Sequence, residues 1–175
     1  MEPPVDIRLQ SMTRAVADVI VPALDKKDGL AAAQAELLLA HLTLLRRQID
    51  HLPAYYRLEH QEALKLGRAL VDAAAGGPTV GLAACRLRDE LEKAVADDNP
   101  HDDPAFLRES TETLQKAGES LVRSMAIDGE SSSRDSVLAI AVSAGRAAAQ
   151  RQLRWFDSGS DPATVLDEWR MEMHR

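Results

Sequence analysis

LAAAQAELLLAHLTLLRRQIDHL, at residues 30–52, is the segment around which the rest of the chain is expected to pack. Leu38, Leu42, Leu45, Ile49 and Leu52 recur at spacings of four, three, four and three, which puts them on one face of an α-helix. Leu37, His41, Leu44, Gln48 and His51 form a second stripe beside the first. A helix that is apolar over more than half its girth is expected at the centre of a bundle rather than at its edge. At 1.5 Å per residue it would run about 34 Å, long enough to support several partners.

Working outward, helical periodicity continues on both sides. Before the central stretch, Leu9, Met12, Val16, Val19, Ile20 and Leu24 keep helical spacing over 6–27, with Pro22 expected to kink the segment. Residues 2–4 read as a frayed tail, and Asp28 with Gly29 as a break. Pro53 separates the central helix from a third over 53–75, whose stripe is Tyr56, His60, Leu64, Gly67, Leu70 with Val71, and Ala74. Gly76, Gly77 and Pro78 punctuate the chain. A fourth helix over 79–96 carries Leu82, Leu87, Leu91 and Val95.

The polar run 97–103 turns the chain, and Asp103 followed by Pro104 reads as N-cap and first helical residue. The fifth helix, 104–127, has the cleanest period: Leu107, Thr111, Leu114, Gly118, Leu121 and Met125. After Asp128 and Gly129, Ser132 and Asp135 resemble a capping box for an Ala-rich sixth helix with Val137, Ala141, Ala144 and Ala148 on one face. Pro162 opens a short last helix bearing Val165, Leu166, Trp169 and Met173. The expectation is an all-α, single-domain bundle of about six long helices plus a short C-terminal one, in mostly up–down order. Residues 1–128 form its body, and 129–175 a two-helix extension packing on the same core.

Composition agrees and narrows the function classes. The 175 residues are 45% hydrophobic and only 3% aromatic, so Ala and Leu carry the apolar content. A net charge of −7 and pI near 5.2 argue against nucleic acid or an anionic membrane as partner. The central helix contains Gln34, Glu36 and His41, which does not suit a membrane span. The single Cys85 excludes an internal disulfide and reads as a small core residue. With no signal-peptide pattern at residues 1–9, the expected compartment is the cytoplasm.

Catalytic and cofactor signatures were sought by spacing. Di-metal bundles place Glu three residues before His, yet Leu38, Gln48, Arg57 and Met171 precede His41, His51, His60 and His174. Only His101 has an acid there, Asp98, with Pro100 between them. His41 and His51 stand about 15 Å apart along one helix and cannot share a zinc ion. No nucleophile elbow and no phosphate-cradling Gly loop occurs, so neither metal nor cofactor is expected and no catalytic residue is assigned.

One cluster invites a ligand: Arg46, Arg47, His51, Tyr55, Tyr56 and His60, gathered about one helix–helix turn. Arginine forks suit phosphate or carboxylate, and aromatic faces suit a ring or an acyl chain. If the two helices are antiparallel neighbours, these groups converge on an anion-binding pocket. The alternative is helix capping, with Arg46 paired to Asp50 one turn on. A second candidate is an interface made by Trp155, Phe156 and Trp169, residues of the types enriched where proteins dock. Either a protein partner or a homodimer is the expected occupant, the alternative being that these side chains cap the bundle's open end.

VIVPAL at 19–24, LLRRQI at 44–49, LRDELEKAVADD at 87–98 and DDPAFL at 102–107 together resemble a small all-α bacterial family. Its members are of unassigned function and are encoded beside aminoglycoside-phosphotransferase-like kinases and acyl-CoA dehydrogenases. The resemblance covers the first five helices and departs at Arg47 and Gln48, where the family pattern has Arg–Glu. It implies an accessory role near acyl-CoA or phosphotransfer metabolism and carries over no catalytic residue. The sequence thus points first to a non-enzymatic cytoplasmic accessory or scaffold protein acting through helical surfaces. A small anionic-ligand binder, or a weak enzyme with its pocket at the 46–60 turn, is the alternative.

Overall fold

The regular period of residues 107–125 is realised in full: Leu107, Thr111, Leu114, Gly118, Leu121 and Met125 are all buried. The computed structural model describes residues 4–24, 29–96, 100 and 102–174, and among them every regular element is helical. α1 (Val5–Ala15) runs on through a π-helical turn, Val16–Ile20, into a last stretch, Val21–Ala23. α2 (Gly29–Gln48) leads through a 3₁₀ turn, Ile49–His51, into α3 (Leu52–Ala73). α4 (Pro78–Ala94), α5 (Pro104–Asp128), α6 (Ser131–Trp155) and the short α7 (Pro162–Met173) complete the all-α bundle.

The kink expected at Pro22 takes the form of that π turn. A proline ring crowds the carbonyl four residues earlier, here Asp18, and the wider π turn around Asp18 relieves the crowding. From the third helix onward the expected boundaries hold within two residues, whereas the first helix ends at Ala23 and the α-helical part of the central one at Gln48. The Asp103 carboxylate accepts from the Ala105 N–H at 2.9 Å, as the Asp–Pro reading requires. The break expected at Asp28, the tail at 2–3, most of the 97–103 turn and His101 lie outside the described residues.

The central position does not belong to α2. Only Ala35 and Gln48 of that helix are buried, while Leu30 is 73% exposed, Leu37 49%, Leu38 48% and Leu45 41%. Its partner is α1, whose Leu9 and Val16 are buried. Arg46 near the end of α2 reaches Asp6 near the start of α1 at 3.1 Å, so the two form an antiparallel arm. A helix's own apolar content says how much surface it has to bury, not which neighbours reach it.

The core is assembled instead by α3, α4, α5 and the first half of α6. Leu70 and Ala63 of α3 meet Val80, Leu87 and Leu91 of α4, Leu114, Leu121 and Met125 of α5, and Val137 of α6. α3 is the true centre, packing against α4, α5, α6 and α7. Cys85, expected inside, is on the exposed side of α4. The expected sixth-helix stripe is half realised: Val137 is buried, and Ala141, Ala144 and Ala148 are half-buried.

Two loops clamp one end of this core. Gly76 and Gly129 pair as an isolated antiparallel bridge, with Gly77 N–H donating to Asp128 O at 2.8 Å and Glu130 N–H to Ala75 O at 3.0 Å. A Cβ on Gly76 would sit 2.7 Å from the Asp128 carbonyl oxygen, and one on Gly129 2.6 Å from the Met125 carbonyl oxygen. Neither glycine has positive φ, so close approach rather than handedness excludes a side chain. The Asp128 carboxylate caps α4, accepting from Thr79 N–H at 2.8 Å and Val80 N–H at 3.0 Å. The start of α6 is not held by the expected capping box of Ser132 and Asp135: its N-cap is Glu130, with no side-chain cap. Ser133 holds it, accepting from Ala75 N–H at 2.7 Å and donating to Ala73 O. This seam joins residues on either side of 128, so α6 continues the core rather than lying on it.

Denaturant unfolding will separate core from arm. Leu87→Ala, at a fully buried site, costs about 2–5 kcal/mol. Leu30→Ala costs under about 0.5 kcal/mol, as surface changes do, and Gly129→Ala about 1–3 kcal/mol or more.

Candidate functional site

The 46–60 cluster fans outward rather than converging. α2 and α3 meet through the 3₁₀ turn instead of lying side by side, so their side chains address different elements. Arg46 turns to Asp6 on α1, not to Asp50. Arg47 spans to the turn after α6, donating to the carbonyls of Ser158 and, at 2.5 Å, Ser160. His51 is half-buried in the 3₁₀ turn, near enough to Asp161 to help hold that carboxylate ionised. His60 is buried, its Nε2 3.0 Å from Ser110 Oγ on α5. Tyr56 is half-buried, with the Arg108 guanidinium 5.9 Å from its ring centre.

Tyr56 packs against the C-terminal aromatics, and Tyr55 joins them. Its ring lies 4.6 Å from that of Trp155 and 5.5 Å from that of Trp169, the latter edge-on. With Leu58, Val165 and Leu166 these form a second buried cluster that fastens α7 and the end of α6 to the first half of α3. Trp155 and Trp169 are therefore spent inside the chain, capping the bundle, and of the three expected interface residues only Phe156 is exposed.

Beside the aromatics runs a charged seam that sequence reasoning missed. Arg151, almost buried, pairs with Glu62, lies 3.9 Å from Glu172, and places its guanidinium 4.8 Å from the Trp169 ring centre. Two carboxylates and an indole face offset the desolvation of one guanidinium. The Trp169 indole N–H is buried facing Glu62 without reaching hydrogen-bond geometry. Tyr55 donates to Glu59 at 3.0 Å, and Arg154 pairs with Glu168. The signal available in advance was the i,i+3 and i,i+4 spacing of Tyr55, Glu59 and Glu62, but their partner lies 89 residues from Glu62.

Burial raises the carboxyls of Glu59 and Glu62 above their ordinary range, opposed by the Tyr55 hydroxyl at the first and Arg151 at the second. Burial also raises the Tyr55 hydroxyl, with Glu59 adding to it. Four other carboxyls are lowered. Asp128 is held down by the Thr79 and Val80 donors against a desolvation that opposes them. Asp157 is held by Gly159 N–H and the Ser160 hydroxyl, Asp161 by the Thr164 hydroxyl and amide, and Glu168 by Arg154.

Arg47 also borders a groove of about 290 Å³, floored by Leu39, Ala40, Thr43 and Leu44 of α2 and closed by Ser158. None of the other five residues of the 46–60 cluster lines it. A shallower groove of about 400 Å³ lies between α3 and α4, where Arg68, Asp72, Arg88 and Glu92 rim Val71 and Leu91. Among the described residues no group of three or more His, Cys, Asp or Glu is placed to hold a metal ion. No described helix is long and apolar enough to cross a membrane. Comparison with protein families, curated proteins and solved structures finds no match to the chain.

Gln48 is a buried polar link from the arm to the body, its Nε2 donating to Trp155 O at 2.6 Å at the end of α6. Gln48→Glu sets a carboxylate against that carbonyl with no proton to share, and is expected to cost about 1–3 kcal/mol. Gln48→Met should cost less, and urea titration of both variants checks the ranking.

The pH dependence follows from the directions above. The lowered acids contribute stability that is complete above their unfolded values of 3.8 and 4.5 and lost as pH falls through the folded values. Glu59 and Glu62, raised, oppose them: their contribution is complete below 4.5 and lost as pH rises through the folded values. Stability should therefore decline below about pH 4, and Glu59→Gln should lessen its loss as pH rises above about pH 4.5. Chemical denaturation at a series of pH values measures both slopes.

Proposed function

We propose that this chain is a non-enzymatic accessory protein of the bacterial cytoplasm that works by presenting helical surfaces to a protein partner or to a second copy of itself. The observation that carries the reading is the arm. Leu30, Leu37, Leu38 and Leu45 stand exposed together with His41 on the face of α2 turned away from α1. Val19 and Ile20 of the π turn are exposed as well. Contiguous exposed apolar surface of this kind marks sites where proteins dock, whereas singly scattered apolar residues need no explanation. The arm's anchoring at its far end, by Arg47 and Gln48, leaves that face open to a partner. The resemblance to proteins encoded beside kinases and acyl-CoA dehydrogenases supports an accessory role in acyl-CoA or phosphotransfer metabolism. An anion pocket at the 46–60 turn has less support, since Arg47 already gives its donors to two carbonyls.

Affinity purification of the tagged chain from its native cytoplasm tests the reading. Wild type is expected to retain a distinct protein in fixed stoichiometry, and Leu37→Glu with Leu38→Glu to lose it while keeping the helical circular-dichroism signal. Retention undiminished in that double variant would count against α2 as the docking face.

A further inference from the structure

From Leu138 to its C-cap Phe156, α6 carries an apolar stripe that the fold leaves exposed. Leu138, Val142, Gly145, Ala149, Leu153 and Phe156 follow one another at spacings of four, three, four, four and three, one face of the helix. All six are exposed, Leu138 by 44%, Val142 by 50%, Leu153 by 73% and Phe156 by 61%. The core is met by an adjoining face, about 120° round the helix, through Val137, Ile140 and Ala141. We propose that the chain forms a two-fold symmetric dimer in which α6 lies antiparallel against α6 of a second copy along this stripe.

Three observations select a second copy as the occupant. The first is area. The accessible surface is 11236 Å², whereas a monomeric globular protein of 19.1 kDa exposes about 8400 Å². The difference, about 2800 Å², exceeds the roughly 800 Å² that each partner gives to a standard interface. Part of it lies on the open arm and part on the outer face of α6.

The second is self-complementarity. A two-fold interface brings a patch against itself, so its sequence has to read the same in both directions. This stripe does so in size: large, large, small, small, large, large. Antiparallel pairing centred near Ala147 sets Leu138 against the partner's Phe156, Val142 against the partner's Leu153, and Gly145 against the partner's Ala149. Small residues at the crossing let the backbones approach, and large ones close the seam on either side. The third is Gly145 itself. A Cβ added there meets nothing within 4 Å in its own chain, so the fold does not require a glycine in mid-helix. The bare backbone there leaves room for a second helix to approach closely. The stripe carries no charge, and the two-fold sends the two Arg146 side chains to opposite flanks.

The proposal rests on the reading that the chain acts through helical surfaces, but on a different helix from the arm, so the two can fail separately. Sedimentation equilibrium across the micromolar range should give twice 19.1 kDa for wild type. Ala149→Arg and Leu153→Asp should each weaken self-association at least tenfold with unchanged helical signal, because neither side chain is packed within its own chain. Leu37→Glu should leave the mass unchanged. In a Cys85→Ser background, spin labels at Leu138→Cys should report about 27 Å across the antiparallel pair, 18 residues of rise. Labels at Ala149→Cys should lie much closer together. A 19.1 kDa mass at every concentration, a dimer indifferent to Ala149→Arg, a dimer broken by Leu37→Glu, or a short distance at Leu138→Cys would each overturn it. A monomer whose arm still retains a protein partner would sink the dimer alone. A dimer whose arm retains nothing would sink the partner reading alone.

Discussion

The close approach of two backbones at Gly76 and Gly129 is the constraint on which the rest of the bundle depends. Four helices begin or end within a few residues of it: α3 stops at Ala73, α4 starts at Pro78, α5 stops at Asp128 and α6 starts at Ser131. Helix ends leave unsatisfied N–H and C=O groups, and here each loop satisfies the other's. Asp128 serves the first amides of α4, while Ser133 serves Ala75 N–H and Ala73 O. Arg134 closes the set, its guanidinium donating to Met125 O at 2.9 Å and Gly129 O at 3.0 Å. The clamp fixes where four helices meet, and Leu70, Val80, Met125 and Val137 then have one way to interdigitate.

At the other end of α3 the arrangement is looser and more polar. The aromatic group around Tyr55 and Trp155, with Arg151 between Glu62 and Glu172, fastens α7 to the body. Its carboxyls are raised by burial rather than by mutual repulsion alone, and Arg151 reaches them from the far side of the chain. Perturbed ionisation in a cleft is a mark of function. Here the perturbed groups are packed among tryptophans, and neither groove opens onto them. The seam is accordingly a fastening. Two surfaces that these fastenings leave uncovered are the outer face of α2 and the outer face of α6.

That division gives the molecule an uneven plan. A well-filled core sits beneath α3, α4 and α5, while a helical arm stands off it, held by Arg47 and Gln48. The arm buries enough of Leu9, Val16 and Ala35 to persist as a hairpin. Its leucines at 30, 37, 38 and 45 remain exposed.

By itself the sequence determined that the chain is all-α and nearly where each helix begins and ends. Period, proline, glycine and N-cap chemistry act over four or five residues, so Leu107 to Met125 could be read as one buried stripe and Asp103 as a cap. Only the tertiary structure decided which helix is central. Burial depends on who reaches a face, which is why the leucine-rich α2 lies outside while the more polar α3 lies within. The candidate ligand residues shared a turn in sequence, yet helical geometry pointed Arg46, Arg47, Tyr55 and His60 toward four different neighbours. Trp155 and Trp169 could be recognised as anchoring residues, but whether they anchor a partner or their own chain turns on contacts with Tyr55, a hundred or more positions away, which no local pattern encodes.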